Sequence, residues 1–424
     1  MPQMKILVIG GGIAGPAVAF WLSKAGVDVT VIERFPNLRT TGLQIDLRGA
    51  GIEVMRRMGL ETAFRAKAVP EQGTAVVDGS GKLRAVFEAN RSGQGLQDFT
   101  TDFEIMRGDL CQLLYDATKD RVNYVFGTTV RSVEDTNGAA KVLFSDGREE
   151  QYDLVIGADG QSSRTRRMLF GPDTEDNYHL LGAYIAYFTL PEVVKGDDYL
   201  FKAYFAARKR LVLTRRSSPE NVQVYLACKS ESERLRNLQK GDVKEEKEAM
   251  TEIFRDAGWR TNEFLQALEA TDDFYCERLA VVRLDSWSRG RTVLLGDAAY
   301  CPTATTGMGT TSSMVGSYIL AGEIVRCCGK ANVNGDHGGR DFKDGLSVAL
   351  KNYEDKFRPF MARVQKGIRN GTTIWDKLPA TSLAITILNF VLGIVSFFHL
   401  NVLGRYILRE NVGDWKLPEY EELM

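Results

Sequence analysis

Apolar residues follow two rhythms along this chain. Short unbroken runs, Ile6-Leu7-Val8-Ile9, Val29-Thr30-Val31-Ile32, Leu154-Val155-Ile156 and Val293-Leu294-Leu295, predict strands buried on both faces, as in a parallel sheet. Between the first two, residues 14–25 have helical spacing, with Ala19 and Leu22 apolar and Gly26 at the C-cap. Residues 50–68, carrying Val54, Met55, Met58 and Leu60, read as helix, as do 107–118. Strands are predicted near 73–78 and 83–87 around an Asp78-Gly79-Ser80-Gly81 turn, and near 122–134 and 140–144. Residues 179–229 then alternate: Leu181, Ala183, Ile185, Tyr187; Tyr199, Phe201; Leu211, Leu213; Val222, Val224, Leu226. That period of two predicts a multi-strand sheet with one solvated face. Charged helices near 230–256 and 261–269 interrupt it, and a strand over 274–284 closes it.

The first run opens into Gly10-Gly11-Gly12-Ile13-Ala14-Gly15, and the second delivers Glu33. In such a strand–turn–helix–strand unit Gly10 permits the tight turn, Gly12 admits a pyrophosphate to backbone N–H groups, and Gly15 lets helix and strand approach. The phosphate rests on the positive end of the helix, and an acid after the second strand binds a ribose diol. The unit therefore predicts a dinucleotide site.

Two later segments repeat the theme of a strand running into Gly or Asp-Gly before a helix. One is Asp153-Leu154-Val155-Ile156-Gly157-Ala158-Asp159-Gly160 with Ser162, Ser163 and Arg164. The other is Gly296-Asp297-Ala298-Ala299-Tyr300, followed by Thr306-Gly307-Met308-Gly309-Thr310-Thr311 and a long helix. In this order and spacing the three segments resemble the class A flavoprotein monooxygenases, the para-hydroxybenzoate hydroxylase family, over residues 4–370. Glu104-Ile105-Met106-Arg107-Gly108-Asp109-Leu110 is similar to that family's arginine-bearing helix start, and residues 349–359 to its late helix. Gly42-Leu43-Gln44-Ile45-Asp46-Leu47-Arg48-Gly49, taken with Gly-Met-Gly, is most similar to the branch containing tetracycline destructases and fungal polyketide or meroterpenoid hydroxylases.

The resemblance implies an α/β fold: a Rossmann-type FAD-binding domain over 1–178 and 285–370, an inserted mixed β-sheet substrate domain over 179–284, and a C-terminal helical segment over 371–424. It implies FAD contacts from Gly10, Gly12, Gly15, Glu33, Arg34, Arg107, Asp159 and Asp297, and isoalloxazine contacts from Gly307, Met308 and Gly309. It implies NADPH or NADH as a transient reductant and O₂ as co-substrate. The oxygen would pass through a flavin C4a-hydroperoxide to an electron-rich carbon of a phenol, polyketide or tetracycline-like molecule. Asp46 and Arg48 are candidates for the substrate side of the ring, with an ion pair that only braces the loop as the other reading. Tyr300 stands where many members carry His, Pro302 comes two residues early, and Thr311 or Ser312 replaces an Asn; all are expected near the meeting of ring and substrate.

Composition narrows the alternatives. Lys+Arg 54 against Asp+Glu 55 leaves a formal charge of −1, and no basic run stands out, which argues against a nucleic-acid partner. Six cysteines without CxxC spacing and three scattered histidines, His179, His337 and His399, predict no metal site. No signal peptide is recognisable before Met4, so a cytoplasmic location is expected and the Asn-x-Ser/Thr matches at Asn90 and Asn370 carry little weight. Residues 382–403 are charge-free and long enough to cross a bilayer, yet contain Thr386, Asn389, Ser396, His399 and Asn401. The readings are helices docked on the protein, attachment to a membrane surface, or a span. Trp375, just before the run, lines the substrate cavity or packs as core. A halogenase is disfavoured because the five tryptophans lie far apart. A flavin reductase or epoxidase acting on an isoprenoid at a membrane, and a non-enzymatic FAD sensor, remain as alternatives.

Overall fold

The computed structural model describes residues 4–89, 102–136, 138–171, 177–193, 198–237, 242–329, 342–366, 368, 374–398 and 414–424. Asn90, Asn370, His337, His399 and residues 399–403 of the apolar run lie outside them.

A six-stranded sheet forms the first layer, in the order Ser288–Arg289, Thr292–Leu294, Leu154–Gly157, Lys5–Ile9, Asp28–Glu33, Asn123–Phe126. All its pairings are parallel except the short Ser288–Arg289 edge. Both faces are covered, which is why its strands read as unbroken apolar runs. Ile6, Val8, Val31 and Ile156 face the helices Ala14–Lys24, Gly309–Cys328 and Phe342–Val364. Leu7, Ile9, Ile32 and Val155 face a three-stranded meander, Val130–Thr136, Ala139–Phe144 and Glu149–Tyr152.

The second layer is a seven-stranded sheet, here called the roof, in the order Phe274–Val282, Tyr178–Pro191, Asn221–Lys229, Arg210–Ser218, Leu200–Ala206, Gly73–Val77, Leu83–Glu88. The predicted sheet starts at residue 179, but the structure extends it with the hairpin 73–88, whose first strand runs parallel to Leu200–Ala206. Local alternation cannot reveal a pairing across that sequence distance. Tyr184, Ala186, Phe188, Val224 and Leu226 pack beneath the helices Val243–Phe254 and Thr261–Ala270. The face expected to be solvated is instead covered in part: Ile185, Tyr187, Tyr225, Ala227 and Leu279 pack with Trp375 and Leu43.

Several predicted helices are divided. The 50–68 helix is Ala50–Arg57 and Glu61–Lys67, separated at Gly59, whose φ of 72° no other residue adopts as readily. The 230–256 helix is Glu233–Asn237 and Val243–Phe254. The described part of 371–424 holds one α-helix, Ser382–Phe397, laid across the roof's edge strand Leu83–Glu88; residues 414–424 return as a strap that buries Tyr420. Among the described residues no helix is long and apolar enough to cross a membrane.

Candidate flavin and substrate site

The glycine turn is built by two different constraints. Gly10 has φ 117°, and a Cβ there would stand 2.5 Å from the Ala158 carbonyl oxygen. A Cβ on Gly15 would stand 2.0 Å from the Gly10 oxygen. Packing within the chain alone demands both glycines. Gly12 is different: its Cβ would meet only Arg107 Nη2, at an ordinary 3.5 Å. Nothing among the described residues requires glycine there, so the constraint fits a ligand brought against the backbone. The first helix, Ala14–Lys24, has no side-chain cap, leaving its N–H groups available to an anion. Glu33 accepts from Gly11 N at 2.8 Å and Phe35 N at 3.0 Å, which fixes its carboxylate at the rim of the turn.

Arg107 opens the helix Arg107–Asp116 beside this turn, its N–H donating to Leu43 O. Arg39 lies 5.0 Å from the Tyr275 ring and Arg34 4.8 Å from the Phe35 ring. Burial, then the charges of Arg107 and Arg34, hold the Arg39 guanidinium below its usual range. None of the three pairs with a carboxylate among the described residues. Three neighbouring guanidinium groups around an uncapped helix end suit the two charges of a pyrophosphate.

The same region receives the third motif. Gly296, φ 65°, turns the chain so that Asp297 opens a one-turn helix, Asp297–Tyr300. A Cβ on Gly296 would lie 3.0 Å from Ala14 Cβ and 3.2 Å from Ser313 Oγ, so this turn is wedged between the first helix and the long helix. Ser317 Oγ closes the junction by donating to Ala14 O at 3.0 Å. Gly307 is left-handed, with φ 64°, and leads into Gly309–Cys328, whose N-terminus also lacks a side-chain cap. A Cβ on Gly309 would meet nothing within 4 Å, and Met308 beside it is buried. The turn 48–51 presses on this helix: Arg48 N donates to Thr311 Oγ1 at 2.9 Å, and Thr311 Oγ1 donates back to Arg48 O. Gly10–Gly15, Asp297, Gly307–Gly309 and Asp46–Arg48 thus come together on one side of the parallel sheet.

The roof supplies the opposite wall. Tyr187 lies 5.2 Å from Tyr225 and 6.3 Å from Tyr275, ring to ring. Tyr187 donates to Glu277 and Tyr225 to Gln223. Gln223 also donates to Gly42 O and accepts from Gln44 N, tying the roof to the 42–48 loop. Trp375 is buried among these tyrosines, and its indole N–H has no partner among the described residues.

The FAD binding domain family matches residues 3–332 of the chain. The protein belongs to the FAD-dependent monooxygenases. It is 48% identical to FAD-dependent monooxygenase asL4 of Sarocladium schorii over the whole of both chains. It is 42% identical to flavin-dependent monooxygenase eupH of a Phoma species over 85% of each. Among solved structures, tetracycline destructase Tet(55) is 28% identical with a TM-score of 0.79, covering 99% of this chain and 100% of that one.

Within this monooxygenase some expected residues also have partners inside the chain. Asp159 accepts from Arg164 N at 2.8 Å, Thr165 N at 3.0 Å, Thr165 Oγ1 at 3.1 Å and Ser163 Oγ, so its carboxylate caps the helix Arg164–Phe170. Arg48 is 1% exposed and paired with Asp46, the bracing arrangement, while Asp46 keeps an open edge. Tyr300, expected near the ring, turns into the core against Trp287 and Phe357 and accepts from Tyr353, because its one-turn helix directs that side chain inward. Sequence reasoning missed Arg166, which is buried and donates to Ala298 O and Gln161 O, joining the second motif to the third. It also missed Gln223 and the buried set Glu71, Glu104 and Arg215. Arg215, a charge on the apolar face between Leu213 and the strand end, was the available signal.

Proposed function

We propose that this monooxygenase hydroxylates an aromatic or enolic small molecule, of phenol, polyketide or tetracycline-like type, using FAD, O₂ and transiently bound NADPH or NADH. One observation carries the reading: a largely aromatic roof face of Tyr187, Tyr225, Tyr275 and Trp375 is tied through Gln223 to the 42–48 loop. Such a face suits a planar, electron-rich substrate.

FAD fits the residues present. Gly12 and the helix end behind it would receive the pyrophosphate, with Arg34 and Arg107 at its rim; Glu33 would take the ribose and Asp297 the ribityl chain. The N-terminus of Gly309–Cys328 would favour negative charge on the reduced ring. When bound, the flavin supplies hydride acceptance and oxygen activation. The chain's own residues hold the substrate flat, tie roof to loop through Gln223, and exclude water with buried aromatic surface. The test is a screen of NADPH and NADH consumption against phenols, polyketides and tetracyclines, with mass detection of a product heavier by one oxygen. Cofactor oxidation that no compound stimulates, with no oxygenated product, would overturn the reading.

The outward face of Ser382–Phe397 carries Leu383, Ile387, Phe390, Val391, Ile394 and Phe397, all exposed. Contact of this row with a membrane surface is a second element of the proposal, since an uncharged apolar row of that length suits an interfacial helix.

A further inference from the structure

Beyond the helix Phe342–Val364 the chain returns to the roof and buries one tryptophan there. Ile374–Lys377 forms a short 3₁₀ segment, closed by Leu378 N donating to Trp375 O at 3.4 Å. Pro379 disfavours helical backbone at Leu378, which stops the turn from lengthening. Two contacts fix this segment to the roof. Asp376 pairs with Lys229 at the end of the strand Asn221–Lys229, and Arg208 N donates to Ala380 O at 2.9 Å. Trp375 sits between these anchors and is 4% exposed, so the roof itself holds its ring in place.

The ring packs among Ile185, Tyr187, Tyr225, Ala227 and Leu279, and its N–H is buried with no acceptor among the described residues. An indole nitrogen can only donate. Burying that donor unpaired costs free energy, which a phenyl ring in the same place would avoid. The neighbouring hydroxyls are in a different condition: Tyr187 donates to Glu277 Oε2 at 3.2 Å and Tyr225 to Gln223 Oε1 at 2.9 Å. Their protons are committed within the roof, and the tryptophan proton is not. Leu43, Leu211, Leu213 and Leu378 beside it are only partly buried, so these neighbours do not seal this side of the face. Trp21 also has an unpartnered indole N–H, but that ring is 0% exposed in the helical core of the first layer.

We propose that Trp375 is a specificity-determining residue whose indole N–H donates to a carbonyl oxygen of the substrate. The substrate is then a hydroxylated ring or enol conjugated to a ketone, aldehyde, ester or quinone. This rests on the reading that a planar substrate lies against the roof face. A donor-only group is answered only by an acceptor, and a carbonyl oxygen has two lone pairs. It can accept from a neighbouring hydroxyl of its own molecule and from Trp375 at once. The N–H is already dry in the free protein, so bonding it to substrate removes no further water from the donor. An analogue with CH₂ in place of C=O leaves the N–H unpaired and forfeits that bond, which is how a site built around a hydrogen bond rejects the compound lacking its partner.

The test compares two probes by titration calorimetry on the full-length FAD-loaded protein. One is resacetophenone, a dihydroxyphenyl ketone; the other is ethylresorcinol, the same molecule with CH₂ in place of the carbonyl. Trp375→Phe removes the N–H. Trp375→benzothienylalanine keeps the bicyclic shape and puts sulfur where the N–H was, so the test holds even where the phenylalanine variant folds poorly. Wild type should bind the ketone roughly tenfold or more tightly than the alkyl compound, the scale of one buried hydrogen bond. In the sulfur isostere that preference should vanish, while ethylresorcinol binds within about twofold of wild type. An isostere that keeps the preference overturns the proposal. So does a wild type that shows none or binds neither probe. Equal weakening of both compounds overturns it too and assigns Trp375 to packing. Oxygenated product is scored separately in the cofactor-consumption screen: a ketone held through Trp375 but never oxygenated overturns the hydroxylase reading and still upholds the donor.

Discussion

Replacing Gly12 and Gly15 separately by alanine separates a constraint imposed by a ligand from one imposed by the fold. At Gly15 the new Cβ would sit 2.0 Å from a backbone oxygen, and the atoms it meets cannot swing aside. The first helix must then move off the first strand, and a loss of about 3 kcal/mol or more is expected, at the upper end for a core clash. At Gly12 the nearest atom is 3.5 Å away, at the end of a flexible arginine, and the backbone is not left-handed. Alanine there should leave the apoprotein as stable as before, or more so by up to about 1 kcal/mol through a less flexible unfolded chain. Its methyl group would nevertheless hold the pyrophosphate off the N–H groups of the turn. Charge-assisted hydrogen bonds contribute about 1.5–3 kcal/mol each, so losing two raises the FAD Kd by roughly 10²–10⁴. Thermal unfolding of the apoprotein and FAD titration by flavin fluorescence read the two effects independently. A Gly12→Ala protein with wild-type FAD affinity would refute the reasoning, because a glycine of this turn that no described residue demands would then have no ligand to explain it.

Glu33→Arg should weaken FAD by roughly 2–3 kcal/mol in a flavin-content measurement, since it removes a carboxylate fixed at the ribose position. Gly309→Val should fold normally but slow flavin reduction in stopped flow, because the Cβ position is open in the protein; an unchanged rate counts against the ring placement. Glu71, pushed up by burial to about 8 from 4.5, binds its proton more tightly folded than unfolded. Its contribution to stability is therefore complete below about pH 4.5 and is lost as the pH rises through 8, at roughly 1 kcal/mol per unit. The unfolding midpoint should fall over that window and flatten in Glu71→Gln; a parallel decline in the variant would dismiss the effect. Full-length protein should float with anionic vesicles while a chain ending at Lys377 does not, and equal flotation of both would dismiss the membrane contact.

The cofactor half of this molecule was legible because its determinants are consecutive. Gly10 to Glu33 is one unit in which each residue acts on its near neighbours, and the other two motifs repeat the same strand-into-helix grammar. The roof was legible only where its strands adjoin in sequence. Gly73–Val77 joins Leu200–Ala206 in parallel, and no local pattern announces a partner so far along the chain. The buried charged set was hidden for the same reason. Glu71, Glu104 and Arg215 become a set only when three separate segments meet; the two glutamates alone read as ordinary surface charges, and Arg215 signals only that a charge stands on an apolar face. Tyr300 shows the opposite error, in which a position inferred from a motif did not fix where its side chain points.

The C-terminal helix shows how polar residues in an apolar run can be sorted once their partners are visible. Ser396 accepts from Val86 N at 2.9 Å and donates to Val86 O at 2.7 Å, inserting one hydroxyl into the open edge of the roof's last strand. That satisfies an edge pair which would otherwise invite another strand. Gly393 allows the approach, since a Cβ there would lie 3.0 Å from Arg84 O. Among the described residues Thr386 donates only to its own helix, at Ser382 O, and Asn389 Oδ1 is buried without a partner. Of the three polar groups described, then, one docks the helix on the protein. Docking and membrane contact are not exclusive, because they use opposite faces: Gly393 and Ser396 face the sheet, while Leu383, Ile387, Phe390, Ile394 and Phe397 face outward. A span would have to tear Ser396 from Val86 and leave both backbone groups unsatisfied. A surface contact would disturb neither.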